Sequence, residues 1–402
     1  MANANGIDTL LVMTRQSAEG IKATGGAGVG QLYPRITATF DSESDKSTSN
    51  EIDQTQQVSD TRMNNWRTSG SLNGEASCGT YGPLIASMLR RDWTAGAASG
   101  AQTTIASTTT GLTRSAGSWL TDGFDANMVV RVTGFTAPAT ANNSRNFYVT
   151  SVTATNLNGQ FMDGTAMVAK TAGDSVTVTA PGKRTFTPLS GHTNDWYTVE
   201  VQEPKVNVNR VFVDQQPSKM DFASQPTGNA TLNFSFMGKQ ELPNSTSAYF
   251  TSPTAAPGTG KLVGATAVLC VNGLPLQICT GMSLSIDGQN KIDGVIGSKY
   301  ATAASRGKVM GSGQFTVFLQ DSTYLDAFKA ETEMPMGYAM ASSGAASADV
   351  LAFSAGRIKI TSCKVDDGEK NKILTCQFDV LRYRGADAQF ETTTLVCQDS
   401  TL

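Results

Sequence analysis

Two stretches far apart in the chain, Thr68–Trp93 and Lys308–Ala330, run the same course: a strand of small residues, a polar turn, then a short amphipathic helix. In the first, Ser69 to Ser77 reads as the strand and Gly79 and Thr80 as the turn, with Thr80 or Tyr81 as cap. Pro83 falls in the first helical turn, where a missing N–H costs nothing. Leu84, Ile85, Met88 and Leu89 then recur at helical spacing, and Arg90, Arg91 and Asp92 are expected to face water. A helix of about ten residues cannot stand alone, so its stripe must pack on a sheet. In the second stretch Gly311-Ser-Gly leads to Tyr324, Leu325 and Phe328 on the matching helix.

The echo continues outward. Ile36-Thr-Ala-Thr-Phe-Asp-Ser-Glu-Ser answers Met282-Ser-Leu-Ser-Ile-Asp-Gly-Gln-Asn, each a strand entering a long polar segment. Downstream, Ser218-Lys-Met-Asp-Phe and Ala230 to Lys239 answer Ser362-Cys-Lys-Val-Asp and Ile373 to Arg382. An order of strand, long loop, strand, helix and hairpin used twice dictates architecture before any other signal does.

Between the halves of the first unit, residues 98–184 look different. Thr103–Ser107, Met128–Val132, Asn146–Thr153, Gln160–Met162 and Ser175–Thr179 are short strands at close spacing, cut by turns such as Gly111, Asp122-Gly and Asn158-Gly. They predict a small all-β barrel or sandwich inserted in a loop of the parent. The expected organisation is a first domain over 1–97 and 185–240, the insert over 98–184, a linker over 241–261 and a second domain over 262–402. The polar segments 41–66 and 287–310 read as long arms in equivalent places, ordered by a neighbour rather than by their own domain.

Reactive chemistry finds little footing. His192 is the only histidine, it sits in a loop, and no Gly-x-Ser-x-Gly elbow partners it. Gly25-Gly-Ala-Gly-Val-Gly is followed by Gln31-Leu-Tyr-Pro, not by the Lys-Ser/Thr of a phosphate loop or by a helix, so it reads as a turn. Asp366-Asp367 before Gly368, and Glu331 with Glu333, read as turn and solvated-face carboxylates rather than a glycosidase pair. The six cysteines lack metal-ligand spacing; a disulfide between Cys363 and Cys376 across a hairpin is geometrically conceivable, against a plainer reading as small buried hydrophobes. No catalytic, cofactor or metal site is expected. With a formal charge of −3 and no basic block, gripping nucleic acid through its phosphates is disfavoured. No apolar run approaches a membrane span, and the N-terminus lacks the pattern of a signal peptide, so a soluble protein is expected with no membrane partner.

Gly70-Ser-Leu-Asn-Gly-Glu, Thr80-Tyr-Gly-Pro-Leu-Ile-Ala-Ser-Met-Leu, Trp93, Thr227-Gly-Asn-Ala-Thr-Leu-Asn-Phe-Ser-Phe-Met-Gly-Lys, Met282-Ser-Leu-Ser-Ile-Asp and Val295-Ile-Gly-Ser follow one another in an order that resembles the tail tube (major tail) proteins of long, flexible-tailed bacteriophages of the siphovirus type. The resemblance covers most of the chain outside 98–184. It implies a mainly β fold: two tandem tail-tube β-sandwich domains, each with a short flanking α-helix, plus the inserted all-β domain. It also implies a structural, non-enzymatic virion protein without cofactors, assembled in the host cytoplasm. Its copies would close rings, as trimeric pseudo-hexamers or as hexamers, and stack into a tube for DNA delivery.

The implied partners are further copies of itself, tape measure protein and genomic DNA in the lumen, and tail terminator and distal tail proteins at the ends. Contacts between stacked rings are expected from the two arms, at Asp41, Glu43, Asp45, Lys46, Glu51, Asp53, Lys291, Asp293, Lys299 and Arg306. The insert would decorate the outside. The alternative reading is a phage or bacterial adhesin of immunoglobulin-like β-domains with 98–184 as its recognition module; a tail hydrolase comes third, for want of a site.

Overall fold

The computed structural model describes residues 3–52, 54–276, 278–367 and 369–402; Asp53 and Gly368 lie outside them. The protein is mainly β, with two short helices. The first unit holds β1 (Leu10–Arg15), β2 (Thr37–Thr48), β3 (Thr61–Glu75), α1 (Gly82–Leu89), β4 (Lys183–Phe186), β5 (Tyr197–Glu203), β6 (Val208–Ser224) and β7 (Thr231–Gly238). The second holds β8 (Ala267–Val271), β9 (Cys279–Asp287), β10 (Met310–Phe318), α2 (Thr323–Lys329), β11 (Glu333–Ala341), β12 (Val350–Val365), β13 (Ile373–Val380) and β14 (Val396–Asp399).

The same pairings occur twice, all antiparallel. β1–β5–β6 in the first unit matches β8–β11–β12 in the second. Likewise β2–β3–β7–β6 matches β9–β10–β13–β12. Each unit is therefore a two-layer sandwich in which one long strand, β6 or β12, passes from one layer to the other. Alternation builds the core: along β7, Leu232, Phe234 and Phe236 point inward while Thr231, Asn233 and Ser235 point out. One hydrophobic core runs through both units, with Phe222 of β6 packed on Tyr338 and Phe353 of the second at centroid distances of 5.8 and 5.2 Å.

The ladders also break at matching places. The β6–β7 register shifts between Pro217 and Lys219, and the β12–β13 register between Ile360 and Ser362. The β5–β6 ladder shifts between Tyr197 and Val199, and the β11–β12 ladder between Met334 and Met336. Along β6 and β12 both shifts superpose at the same spacing, Phe212 on Ala355 and Gln215 on Ile358 as well as Pro217 on Ile360, so Ser218 matches Thr361 and Lys219 matches Ser362. The sequence echo, which set Ser218 against Ser362, is one residue out. A one-residue slip turns every side chain to the other face, and a bulge is what hides it from pattern matching.

Glycine marks a close approach in the second sheet. A Cβ on Gly313 would meet the Phe378 ring at 2.4 Å and the Ser283 carbonyl oxygen at 2.5 Å. Backbone cannot step aside, so Gly313→Ala is expected to cost roughly 2 kcal/mol, read as a lower thermal midpoint without loss of fold.

Other expectations change on folding. Residues 41–66 are not a structureless arm: β2 and β3 continue as a paired ribbon out to Thr48 opposite Thr61. A ribbon with water on both faces carries no apolar period to detect. α1 ends at Leu89, and Arg90 takes the left-handed C-cap conformation, φ 62°. Arg90 and Arg91 do not point to water. Arg90 Nη2 donates to the Gly288 carbonyl at 3.1 Å, and the Arg91 guanidinium lies 3.8 Å from the Phe186 ring centroid. Residues 241–261 do more than connect, since Phe250 is fully buried there. Its N–H donates to Glu200 Oε2 at 2.8 Å, and Tyr249 N–H to Glu200 Oε1 at 2.6 Å.

The insert forms a separate six-stranded sheet with its own core, within residues 105–179. One of its strands, Gly111–Arg114, runs through a glycine that the sequence marked as a turn. There is room for nothing larger, because a Cβ on Gly111 would sit 2.3 Å from the Leu157 carbonyl oxygen.

Candidate assembly surface

The two units meet strand to strand. β6 pairs with β9 from Lys219 opposite Asp287 to Ser224 opposite Met282. The inner layers of both sandwiches thereby merge into one sheet of order β2–β3–β7–β6–β9–β10–β13–β12. At the junction Met220, Phe222, Leu284 and Ile286 are buried, and Tyr338 Oη donates to Ser224 Oγ at 2.8 Å. The second layers are joined as well, because β14 pairs with β4 on one side and β12 on the other.

One face of the merged sheet is core; the other is mainly polar, with Met310 and Phe318 exposed at the two ends of β10. It carries hydroxyls and amides such as Thr39, Ser71, Asn233, Ser285 and Gln377, with Thr39 and Ser71 hydrogen-bonded across strands at 2.8 Å. Its carboxylates include Asp41, Glu75, Asp221, Asp287 and Asp379. The amines are fewer: Lys219 pairs with Asp221 at 3.0 Å and Lys359 with Glu331 at 2.5 Å, while Lys364, exposed on the same face, has no ion-pair partner among the described residues. Glu333 is likewise held by Arg357, Nε to Oε2 at 2.6 Å, so neither glutamate is free for chemistry.

The sheet ends in two unpaired edges. Among the described residues no strand pairs with the outer edge of β2, nor with β12 beyond Lys359 on its β11 side. At the matching position inside the chain, the β11-like edge of β6 is filled by β9. The exposure follows suit: Phe222 is 1% exposed, whereas Val365, its match on β12, is 39% exposed. The helices differ the same way. Seven of the eight residues of α1 are buried and none of α2 is, with Phe328 partly in solvent.

The arm after β9 accounts for part of that difference, since it lies on the first unit. Arg306 Nη1 donates to the Thr193 carbonyl at 2.8 Å and Nη2 to Ser87 Oγ of α1 at 3.2 Å. Burial, with Arg90 nearby, pulls its pKa down to about 10, still charged at neutral pH. Asn290 Nδ2 donates to the Pro217 carbonyl at 3.2 Å, and Trp66 N–H to the Lys299 carbonyl at 2.9 Å. Arg306→Ala removes the innermost of these anchors. Hydrogen exchange through residues 288–305 is then expected to quicken by about tenfold or more, with the sheet unaffected.

Of the other residues expected at ring contacts, Asp41 pairs with Arg210 at 3.3 Å, and Arg67 holds Asp45 at 3.0 Å and Glu43 at 3.6 Å. Lys46 stands on the exposed ribbon and Glu51 in the loop at its tip. Lys291 and Asp293 pair in solvent at 2.7 Å. Asp53 lies outside the described residues. His192 is exposed in its loop, and Cys363 faces Cys376 across the hairpin as free thiols, Sγ to Sγ 2.8 Å. What sequence reasoning missed is the pair Phe222 and Val365; alternation marks each as a strand residue, but nothing in the chain alone says which edge finds a partner.

Where the insert meets the second unit, Arg184 bridges Asp125 at 2.5 Å and Glu391 at 3.7 Å. Burial outweighs Arg184, and Glu391 adds to it, so the Asp125 pKa is pushed up to about 6. A carboxyl that binds its proton more tightly folded than unfolded favours the fold below its unfolded pKa. That contribution is lost as pH rises from about 4 through 6. The loss is on the order of 3 kcal/mol at most, and Asp125→Asn is expected to remove this slope from the difference in thermal midpoints between pH 4 and 7.

A sequence profile described as phage tail tube protein matches residues 6–380. No curated protein matches the chain.

Proposed function

The chain belongs to the phage tail tube protein family, a structural component of the virion tail, and from that premise we propose that it polymerises into stacked rings around the channel through which a long, flexible, non-contractile tail delivers its genome. The observation that carries this reading is the merged eight-strand sheet: it has one junction made within the chain and two open edges that match the two halves of that junction. Unpaired edges of this length invite aggregation, and closing a ring removes them.

Because each chain already supplies two matching units, three chains give a pseudo-sixfold ring. At about 4.8 Å between strands and a tilt near 40°, some 24 strands close at roughly 48 Å across the backbone. That leaves a channel wide enough for a DNA duplex, or for tape measure protein before ejection. The polar face of the sheet would line it. Carboxylates outnumber lysines on it, and Lys219 and Lys359 are held in ion pairs, so phosphates find little grip, which suits a surface along which DNA slides. The tip of the ribbon β2–β3 and the tip of the second arm reach toward the next ring, and tail terminator and distal tail proteins complete the end rings.

Electron microscopy of the purified protein tests this directly. Rings or tubes with three outer knobs per disc are the expected result, and a dispersed monomer at high concentration would end the tube reading.

A further inference from the structure

We infer that neighbouring chains join through β12 of one copy and β2 of the next, in the register of the internal β6–β9 junction, with Lys364 opposite Asp41, Ser362 opposite Glu43 and Asp366 opposite Thr39. This rests on the reading of the chain as a ring-forming subunit and deepens it by naming the surface and its alignment.

The register follows from matched landmarks. Ser218 and Thr361 are the extra residues of equivalent bulges, which sets Lys219 on Ser362. Across the sheets, Gly70 lies between Phe236 and Phe40, and Gly313 between Phe378 and Leu284, which sets Phe40 on Leu284. Inside the chain Lys219 opposes Asp287, Asp221 opposes Ser285 and Phe222 opposes Leu284. Carried to the outer edges, those pairs become Ser362 with Glu43, Lys364 with Asp41 and Val365 with Phe40.

Three features support a second copy as the occupant. The edges carry opposite charge where they would meet, because Lys364 has no ion-pair partner among the described residues and Asp41 has only the long contact to Arg210. Val365 would gain the cover that Phe222 already has. The neighbour's β2–β3 ribbon also leaves its strand where the second arm leaves β9, which carries it toward α2 as that arm is carried over α1. A one-residue slip would turn Val365 into the channel and Lys364 into the core, so the alternation protects the register.

Cysteine pairs read the alignment. Residues directly opposite in an antiparallel pair have Cβ atoms about 5 Å apart, within reach of a disulfide after small adjustment, while diagonal ones are about 7 Å apart and are not. Asp41→Cys with Lys364→Cys, both at exposed positions, is assembled, oxidised and digested, and the linked peptides are identified by mass spectrometry; Thr39→Cys with Lys364→Cys is the off-register control. The expected result is at least a tenfold excess of the 41–364 link, between chains and not within one. If rings or tubes form but the 39–364 link dominates, or neither appears, the register is wrong and the tube reading stands. If the unmodified protein forms no rings or tubes, both fall. A charge exchange gives an independent readout: Asp41→Lys and Lys364→Asp each lower tube yield, and the two together restore it. A combined variant no better than either single one overturns the pairing.

Discussion

Excising residues 98–179 and joining Ala97 to Ala180 with a short linker is expected to yield a chain that aggregates or loses most of its stability, although the join itself is easy. Ala180 N–H already donates to the Ala97 carbonyl at 2.8 Å, so the ends stand side by side. The difficulty lies at the other unit. Val129 and Tyr148 of the insert pack in one cluster with Val268, Cys270, Ala339, Val350 and Ala352, all on the outer layer of the second sandwich. Gln398 of β14 ties the two together, its Nε2 donating to the Val129 carbonyl at 2.9 Å and its Oε1 accepting from Val129 N–H at 3.0 Å. Arg131 Nη2 and Asn146 Nδ2 both donate to the Ala348 carbonyl at 2.8 Å.

The insert leaves the chain in the first unit and covers the second, so it acts as a strap and not as a pendant. Uncovering that layer would expose apolar surface worth roughly 5 kcal/mol. Excision combined with Val268→Thr, Val350→Thr and Ala352→Ser is expected to recover a soluble chain that still forms tubes. Thermal unfolding and electron microscopy of the two deletion variants decide it. A simple deletion that keeps the parent's midpoint would show that the insert contributes nothing there.

That strap could not be read from the sequence, and the reason is general. Val268, Val350 and Ala352 sit on strands whose two faces are both apolar, and a sequence shows that a strand is buried on both sides without showing by what. The repeat, by contrast, was legible, because strand, glycine, turn and helix recur in order at Gly70 to Leu89 and Gly311 to Lys329. So were the strands of β7, where every second residue is apolar. Its alignment was not: the bulges at Ser218 and Thr361 each add a residue that pattern matching absorbs as noise, and the matched serines at 218 and 362 pulled the echo one place off. The ribbon at 43–48 with 61–67 was missed for the opposite reason, since Ser, Thr, Asp and Lys facing water on both sides carry no period at all. Polar segments disclose that they bury nothing, but not whether their backbones pair.

Phe222 and Val365 occupy the same place in the two units, and opposite outcomes are expected when each is changed. Phe222 is buried at the internal junction against Tyr338 and Phe353. Phe222→Ala leaves a cavity between units that cannot close without moving two sheets, and it should cost on the order of 3–5 kcal/mol of stability in the isolated chain. Val365 stands at the outer edge, 39% exposed. Val365→Asp removes little from the free chain, about 0.5 kcal/mol or less, because the new carboxylate stays hydrated. At the closed junction the same carboxylate would lie opposite Phe40, buried and unpaired, a penalty of several kcal/mol at every contact of the ring. The first variant should therefore unfold early, and the second should fold normally, remain a monomer and add no subunits to tubes formed by the parent protein. Calorimetry and analytical ultracentrifugation separate the two. Should Val365→Asp assemble as readily as the parent, β12 is not the joining edge, whatever the internal junction suggests.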